Sequence, residues 1–537
     1  MAHGCTSQSI VIATAYENLG EDGLKHAIVQ TASKAVFLDP NLISSINIVL
    51  NEADSVKFVI YNDGQVQEAD VEKLKVNHPD ITVLSFEDLR RIGEDNPVDP
   101  VPPSPGSLCC IMYTSGSTGP PKGVPLTHAN VVAAVAGINL IVGPYVTSDD
   151  TFLTYLPQAH VLEFAFENIC FFWGGTMGYG HPRTLSDLSV RNCKGDIREF
   201  RPTLLVGVPA VWESVRKGIQ SKVNAGNFLV KSMFWGAMAA KQYLLSSNIP
   251  GADIGVGILD AVVFRKIKDA TGGRLRLVMN GGGPVSQGTL KFISMAICPM
   301  VSGYGLTETA AMGAFQDPAE WNPASLGGFP GSIEVKLVDF PDAGYFATNK
   351  RPQGEIFIRG GSVSGYYWKN EEESKGVFTE DGWFMTGDIG EFDDFGHLRI
   401  IDRKKNLVKT LTGEYIALEK LESVYRSNPV VGNICVYAAQ DEDRPIAIVV
   451  PLEPALKKIA HEHDIDGDSL ETLVHNEALK DIVLKQLQDT GRNSGLRSIE
   501  IIAGVILSDE EWTTDNVSFI KQENMMMILI LFMNRAL

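Results

Sequence analysis

The sequence predicts an α/β protein: a large N-terminal domain of mostly parallel sheets flanked by helices, ending in a small β unit, and then a smaller α+β C-terminal domain. Three observations predict it. Short apolar runs alternate with amphipathic stretches through the first part of the chain, the texture of a parallel sheet covered on both faces. From about Gly327 the runs become short, β-like and broken by glycines, which marks a separate β unit. Past Asp402 two strand-like runs precede a charged, helix-rich stretch from Pro454 to Gln488.

The predicted parallel strands are Val56–Tyr61, Leu108–Tyr113, Thr151–Leu156, Thr203–Val208 and Leu275–Met279, each followed by a turn or a helix-like segment. Thr127 offers a capping start before Val131–Ile138, and Ser286 another before Leu290–Met295. The glycine-rich loop after Tyr113 is therefore expected between a strand and a helix. Glu334–Val338, Gly354–Arg359 and His397–Ile401 supply the β unit, and Ile434–Tyr437 with Pro445–Val450 reads as a strand pair. These runs divide the chain near Asp402 into residues 1–401 and a C-terminal domain over 406–537, with 402–405 between them.

Composition narrows the function classes. With 537 residues and 44% hydrophobic content the chain can bury large cores. Its 46 basic against 65 acidic residues, a net charge of −19, argues against a nucleic-acid partner. Seven cysteines without paired spacing predict reduced, buried thiols in an intracellular protein rather than a disulfide frame or zinc site. No secretory core, lipidation signal or membrane span is expected, since the apolar tail Met525–Met533 is too short to cross a bilayer.

The chemistry is concentrated in a few motifs. In Ile111–Val124 an apolar strand ends in hydroxyls and glycines that close on a lysine. Glycine torsions turn backbone N–H groups toward phosphate oxygens, Thr114, Ser115, Ser117 and Thr118 add hydroxyls, Gly116 and Gly119 leave room, and Lys122 supplies a point charge. Lys122 is followed by Gly123, not by Ser or Thr, so this is not a Walker loop. Gly281-Gly282-Gly283-Pro284 lets a flat ligand approach the backbone. Tyr304-Gly-Leu-Thr-Glu-Thr309 combines an aromatic able to stack on a base with Thr307 and Glu308, oxygen donors able to hold magnesium against phosphates. In Gly382–Asp388 an aspartate follows a glycine turn, placed to accept bonds from ribose hydroxyls, and Arg403 offers a guanidinium for ribose or phosphate.

In order and spacing these motifs resemble the adenylate-forming enzymes, a family of acyl-CoA synthetases, luciferases and peptide-synthetase adenylation domains. Within it, Tyr155-Leu-Pro-Gln-Ala-His160, Asp402–Lys409 and Gly413–Glu422 look like the fungal type of long-chain fatty-acid–CoA ligase. The resemblance implies a two-step reaction with a long-chain fatty acid, ATP, CoA and Mg2+, through acyl-AMP. It implies that Thr114–Gly119 and Lys122 cradle the β/γ-phosphates, Thr307 and Glu308 serve phosphate and magnesium, and Gly282, Gly283 and Tyr304 line the adenine pocket. Asp388 and Arg403 would hold the ribose, Lys405 would be the hinge residue, Lys409 and Gly413 would face the thioester-forming site, and His160 would lie beside the acyl carboxylate.

Two departures from the family pattern bear on activity. The family begins well upstream of Met1, so part of the N-terminal domain is expected to be absent, and after Trp512–Asn516 the expected catalytic lysine is replaced by Asn524, with Lys521 out of register. A catalytically impaired nucleotide or acyl-CoA binding fragment is one alternative, and an adenylate-forming ligase for another carboxylic acid is a second. The apolar stretches Val161–Phe172 and Val206–Trp212 suit a long acyl tunnel or plain core. The substrate class implies a peripheral, cytosol-facing protein at endoplasmic reticulum, lipid droplet or peroxisome membranes.

Overall fold

A computed structural model describes residues 1–16, 19–64, 66–114, 120–187, 189–246, 251–410, 414–439, 442, 444–467, 469–510 and 512. Ser115, Gly116, Ser117, Thr118, Gly119 and Gly413, and the tail with Lys521 and Asn524, lie outside the described residues.

The largest sheet has six strands in the order Ala314–Phe315, Met300–Tyr304, Leu277–Asn280, Leu204–Gly207, Thr151–Thr154 and Thr176–Tyr179. All neighbours pair in parallel except the short edge strand Ala314–Phe315. Side chains alternate across it, and both faces are covered, which is why its strands read as unbroken apolar runs. Phe152, Leu204, Val206 and Met279 pack with helices His128–Val142 and Val161–Trp173 on one side. Leu153, Leu205, Val278 and Met300 pack with helices Pro209–Asn224 and Gln287–Ala296 on the other. Both predicted caps are formed, Thr127 accepting from the Asn130 N–H at 3.1 Å and Ser286 from the Thr289 N–H at 3.1 Å.

At the amino edge of this sheet Asp150 acts as a clamp. It precedes Thr151–Thr154, while Thr203 and Arg276 immediately precede the next two strands along the sheet, Leu204–Gly207 and Leu277–Asn280. The Asp150 carboxylate, 4% exposed, accepts from the Thr203 hydroxyl at 2.7 Å and from Arg276 Nε at 2.8 Å, with a second Arg276 contact on its other oxygen. Burial pushes its pKa up, but the bonds from Arg276 and Thr203 outweigh that and hold it below the usual carboxylate range. One carboxylate thus fixes the start of three adjacent strands.

A second, wholly parallel sheet of Ala35–Leu38, Phe58–Tyr61 and Thr82–Ser85 has its own core around Ile43, Ile46, Val59 and Leu74. Only its central strand was legible as an apolar run. In the third sheet Ile12–Thr14 pairs in parallel with Leu108–Thr114, which pairs antiparallel with Lys122–Thr127. This corrects an expectation: the glycine-rich loop joins two antiparallel strands, and the helix begins only at His128. Pro125 and Gly123 hid the returning strand in the sequence. It is tolerated because Lys122–Thr127 is an edge strand, where a missing N–H breaks no second ladder.

Strands Ile333–Val338, Gln353–Gly360, Phe384–Phe392 and Leu398–Arg403 form an antiparallel sheet. Beyond it, Leu407–Lys409 pairs with Tyr415–Ala417, and Val431–Tyr437, Ile446–Pro451 and Gly504–Leu507 form a last sheet. Its core is drawn from residues between Val408 and Leu507, including Leu421, Tyr425, Val449 and Leu487. Cys109, Cys110, Cys170 and Cys298 are buried as expected, whereas Cys193 is exposed and Cys5 and Cys435 are half-buried. Among the described residues one helical window, His128–Tyr145 with mean hydropathy 1.3, is long and apolar enough to cross a membrane by composition. Its Ala134, Ile138 and Val142 pack into the core.

Replacing Asp150 by Asn removes the charge that holds Arg276 and Thr203. We expect Asp150→Asn to lose about 3 kcal/mol of stability, read in urea as a lower midpoint with an unchanged slope; a change within error rejects the clamp.

Candidate active site

The carboxyl edge of the six-stranded sheet is where the motifs converge, as crevices outside the carboxyl ends of parallel strands generally do. Tyr304 closes the strand Met300–Tyr304, and its hydroxyl donates to Asp388 Oδ2 at 2.6 Å. Asp388 lies in Phe384–Phe392, directly opposite Arg403 in the antiparallel register. Arg403 Nε stands 3.6 Å from Asp388 Oδ1 and 3.5 Å from Glu419 Oε1. The Asp388 N–H donates to the Thr386 hydroxyl at 3.0 Å, and that hydroxyl donates to the Ile356 carbonyl at 2.8 Å, so the turn is fixed from behind. Burial pushes the Asp388 pKa up to about 6, against the opposing pull of Arg403 and the Tyr304 hydroxyl.

Thr307 and Glu308 begin the turn Thr307–Thr309 that follows. Ala310 and Ala311 leave it with φ of 50° and 68°, a left-handed conformation that side chains resist. Gly305 is required by this fold-back, since a Cβ there would lie 2.0 Å from the Ala311 carbonyl oxygen. The Glu308 carbonyl accepts from the Ser364 N–H at 2.7 Å, and its buried side chain accepts from the Tyr367 hydroxyl at 2.7 Å. Lys122, the first residue of its strand, holds its ammonium 5.1 Å over the ring of the same Tyr367 and pairs with Glu373. Tyr367 therefore stands between the phosphate-loop cation and the proposed metal carboxylate. Sequence reasoning missed it, although the run Tyr366-Tyr367-Trp368 could have flagged it.

Magnesium is a hard cation that takes one or two carboxylates and completes its shell with water and substrate phosphates. Among the described residues no group of three His, Cys, Asp or Glu is placed to hold a metal. Glu308 and the adjacent Thr307 offer oxygen donors of the kind such an ion takes.

His160 caps the helix Val161–Trp173: its Nδ1 accepts from the Leu162 N–H at 3.1 Å, which leaves any proton on Nε2. Burial lowers its pKa, which favours that neutral ring. The glycine turn rests on the same helix start, because a Cβ on Gly281 would lie 3.0 Å from the Leu162 side chain, while Gly282 takes a φ of 74°. The Tyr16 ring lies 6.1 Å from His160, and its pKa is raised by burial and then by the Glu308 carboxylate. Tyr16 thus borders both the histidine and the Thr-Glu turn.

Several buried polar atoms at this edge have no hydrogen-bond partner among the described residues: Tyr155 Oη, Glu163 Oε1, Trp212 Nε1 and Asn280 Oδ1. Such atoms are rare in folded proteins and mark places where a polar ligand or water fits. Burial, and after it the neighbouring Glu167, pushes Glu163 up to about 8.

Thr114 stands opposite Lys122, its hydroxyl 3.5 Å from the Lys122 carbonyl. Lys405 is exposed in the turn Lys404–Asn406, and the Lys409 ammonium sits 5.9 Å over the Tyr415 ring. Asp402, which the motif reading left without a role, is buried and accepts from the N–H groups of Arg403 at 2.6 Å and Glu419 at 3.1 Å. It caps the helix Leu418–Arg426 across the predicted hinge, and burial raises its pKa to about 7.

A family model described as AMP-binding enzyme matches residues 1–368. Long-chain-fatty-acid–CoA ligase 1 of Saccharomyces cerevisiae is 46% identical over 533 residues, covering 96% of this chain and 75% of that protein. Long-chain-fatty-acid–CoA ligase 1 of Schizosaccharomyces pombe is 47% identical over 519 residues, covering 96% and 76%. Among solved structures, the A domain of carboxylic acid reductase from Segniliparus rugosus, in complex with AMP and a co-purified carboxylic acid, superposes with a TM-score of 0.79 at 23% identity, over 99% of this chain and 80% of that one.

Because burial raises Asp388 from the ordinary value of about 3.9 to about 6, the folded state binds its proton more tightly than the unfolded state does. That contribution to stability is present at low pH and is lost as pH rises through about 6. Asp388→Asn is neutral throughout and keeps a carbonyl for Tyr304. We expect it to be more stable than the parent at neutral pH by up to roughly 2 kcal/mol, with the gap closing toward pH ~4. Urea unfolding across that range checks it; a gap that widens on acidification is the opposite result.

Proposed function

The chain belongs to the AMP-binding enzyme family, and we propose that it is a long-chain fatty-acid–CoA ligase. A fatty carboxylate oxygen attacks the α-phosphorus of ATP, the bond to pyrophosphate breaks, and acyl-AMP forms. The CoA thiol then attacks the acyl carbon, the bond to AMP breaks, and the thioester forms with loss of the thiol proton. The observation that carries this reading is 46–47% identity, over 96% of the chain, to fungal proteins of that activity.

In this reading the residues take the roles that the resemblance implies. Lys122, with Thr114 and the loop 115–119, neutralises the outer phosphates, and Thr307 and Glu308 hold Mg2+, which would supply charge neutralisation at the phosphates. Asp388 accepts from the ribose hydroxyls, which requires Tyr304 to share or release its bond, and Arg403 steadies the carboxylate. Gly282 and Gly283 leave room for adenine, with Tyr304 beside it, and His160 with Tyr16 flanks the acyl carboxylate. Lys405 is the hinge about which residues 406–537 turn, bringing Lys409 and Gly413 to the thioester step. The same reading puts the protein peripherally on the cytosolic face of endoplasmic reticulum, lipid droplet or peroxisome membranes, where its poorly soluble substrate partitions.

Incubation with palmitate, Mg-ATP and CoA is expected to give palmitoyl-CoA. In a chain-length series, a higher kcat/KM for acetate or an aryl acid would overturn the long-chain assignment. Single-turnover assays separate the two steps. Lys122→Ala should slow acyl-AMP formation by about 100-fold, because developing phosphate charge loses its cation, and leave transfer from supplied palmitoyl-AMP to CoA nearly unchanged. Equal adenylation in variant and parent removes Lys122 from the site.

A further inference from the structure

Helix Pro209–Asn224 joins the glycine turn to the C-terminal domain. At its first residue, a Cβ on Gly283 would lie 3.4 Å from the Pro209 ring, so the helix begins in contact with the turn. One turn on, Glu213 accepts from the Thr289 hydroxyl, which accepts from Arg216 at 2.7 Å, and Thr289 lies in the first turn of helix Gln287–Ala296. The helix is thus fixed to the carboxyl edge of the main sheet at two points. Lys217, the next residue, bonds outside this domain: its ammonium donates to the carbonyl of Val431 at 2.7 Å, 214 residues further along the chain. Val431 opens the strand Val431–Tyr437 and is fully buried in the last core. The turn before it is held in place, because the Asn428 side chain accepts from the Val430 N–H at 3.0 Å and donates to the Thr490 hydroxyl at 2.9 Å. The bond therefore grips the folded domain and not a loose loop.

We propose that Lys217 is a positioning residue that latches the C-terminal domain in the orientation seen here and releases it when the domain turns. The inference rests on the two-step reading, in which residues 406–537 change orientation between adenylation and thioester formation. Three observations support it. The last core is drawn from residues between Val408 and Leu507, and among the described residues none of it comes from helix Pro209–Asn224. A polar contact between two separately cored bodies can be broken and remade without opening either core, as at other domain interfaces. Second, the bond is strong enough to bias an orientation, since an ionised donor makes a tighter hydrogen bond than a neutral one. Third, the ammonium is crowded. Burial pushes its pKa down to about 8, Glu213 pulls against that, and Arg216 of the same helix and Arg426 at the end of helix Leu418–Arg426 push it further down. Arg426 belongs to the turning domain, so its departure removes a like charge and hydrates the ammonium at the moment the bond is lost. Gain and loss offset each other, which a contact that opens on every turnover requires.

Amine footprinting of the full chain with acetic anhydride, read by mass spectrometry, tests this without a variant and without turnover. In the free protein Lys217 is expected to acetylate at least ~10-fold more slowly than Lys222, which is exposed on the same helix; equal rates mean that the contact is not made and overturn the proposal. The footprint is repeated with Mg-ATP, with palmitoyl-sulfamoyl adenosine as a stable mimic of acyl-AMP, and with that mimic plus CoA. In at least one of these states Lys217 is expected to approach the rate of Lys222, while Lys122 reports separately whether nucleotide has bound. Shielding of Lys122 with Lys217 slow in every state overturns the latch and leaves the ligase reading standing. Lys122 shielded by none of the ligands removes that reading, and the latch with it. Lys217→Met keeps most of the side chain and removes the donor. In a variant whose melting temperature matches the parent, the single-turnover ratio of acyl-AMP formation to transfer from supplied palmitoyl-AMP is expected to change by at least ~10-fold, since one step is made in this orientation and the other is not. Both steps slowed alike, or neither changed, overturns the proposal, because a residue that only packs acts on the fold and so on both.

Discussion

Asp388 is the interaction on which the rest of the site depends. It is a carboxylate with 5% of its surface exposed, bonded to Tyr304 from the end of the six-stranded parallel sheet and facing Arg403 from the next antiparallel strand. A buried charge of this kind is tolerated only when donors surround it. The arrangement therefore requires two sheets of different type to meet at one point. Arg403 continues the connection to Glu419, and its neighbour Asp402 caps the helix that Glu419 begins to turn, so the start of the last core is tied to the same place.

The two edges of the parallel sheet divide the labour between stability and chemistry. At the amino edge Asp150 finds every partner it needs, with Thr203 and Arg276 supplied by the residues that precede neighbouring strands. At the carboxyl edge Tyr155, Trp212 and Asn280 leave polar atoms without partners among the described residues, and Ala310 and Ala311 hold left-handed backbone. Satisfied polar groups stabilise a fold, while unsatisfied and strained ones are retained where a ligand completes them. The contrast within one sheet argues that the carboxyl edge is shaped for a ligand and the amino edge for folding.

Tyr367 shows how an aromatic manages opposite charges in a confined space. Its ring lies under the Lys122 ammonium and its hydroxyl reaches Glu308, so cation and carboxylate are both partnered while remaining apart. Lys122 is also held by a direct ion pair with Glu373, which a polyphosphate entering in the proposed reading would have to displace.

The sequence by itself determined the α/β class, three of the five parallel strands of the main sheet, both helix caps, and the order of the chemical motifs, because each is a local pattern: an apolar run of strand length, a hydroxyl before a helix, glycines beside a lysine. It also placed Tyr304, Asp388 and Arg403 among the candidates. Only the tertiary structure decided that these three meet, that His160 caps a helix beside Tyr16, and that the loop before Lys122 closes an antiparallel hairpin. Tyr367 and Asp402 stayed hidden for the same reason: their roles come from partners in other segments, Glu308 and Lys122 for one and the Glu419 N–H for the other. Patterns of composition and spacing encode which surface a residue prefers, whereas a hydrogen bond between distant segments exists only after strand register and helix packing have fixed both ends.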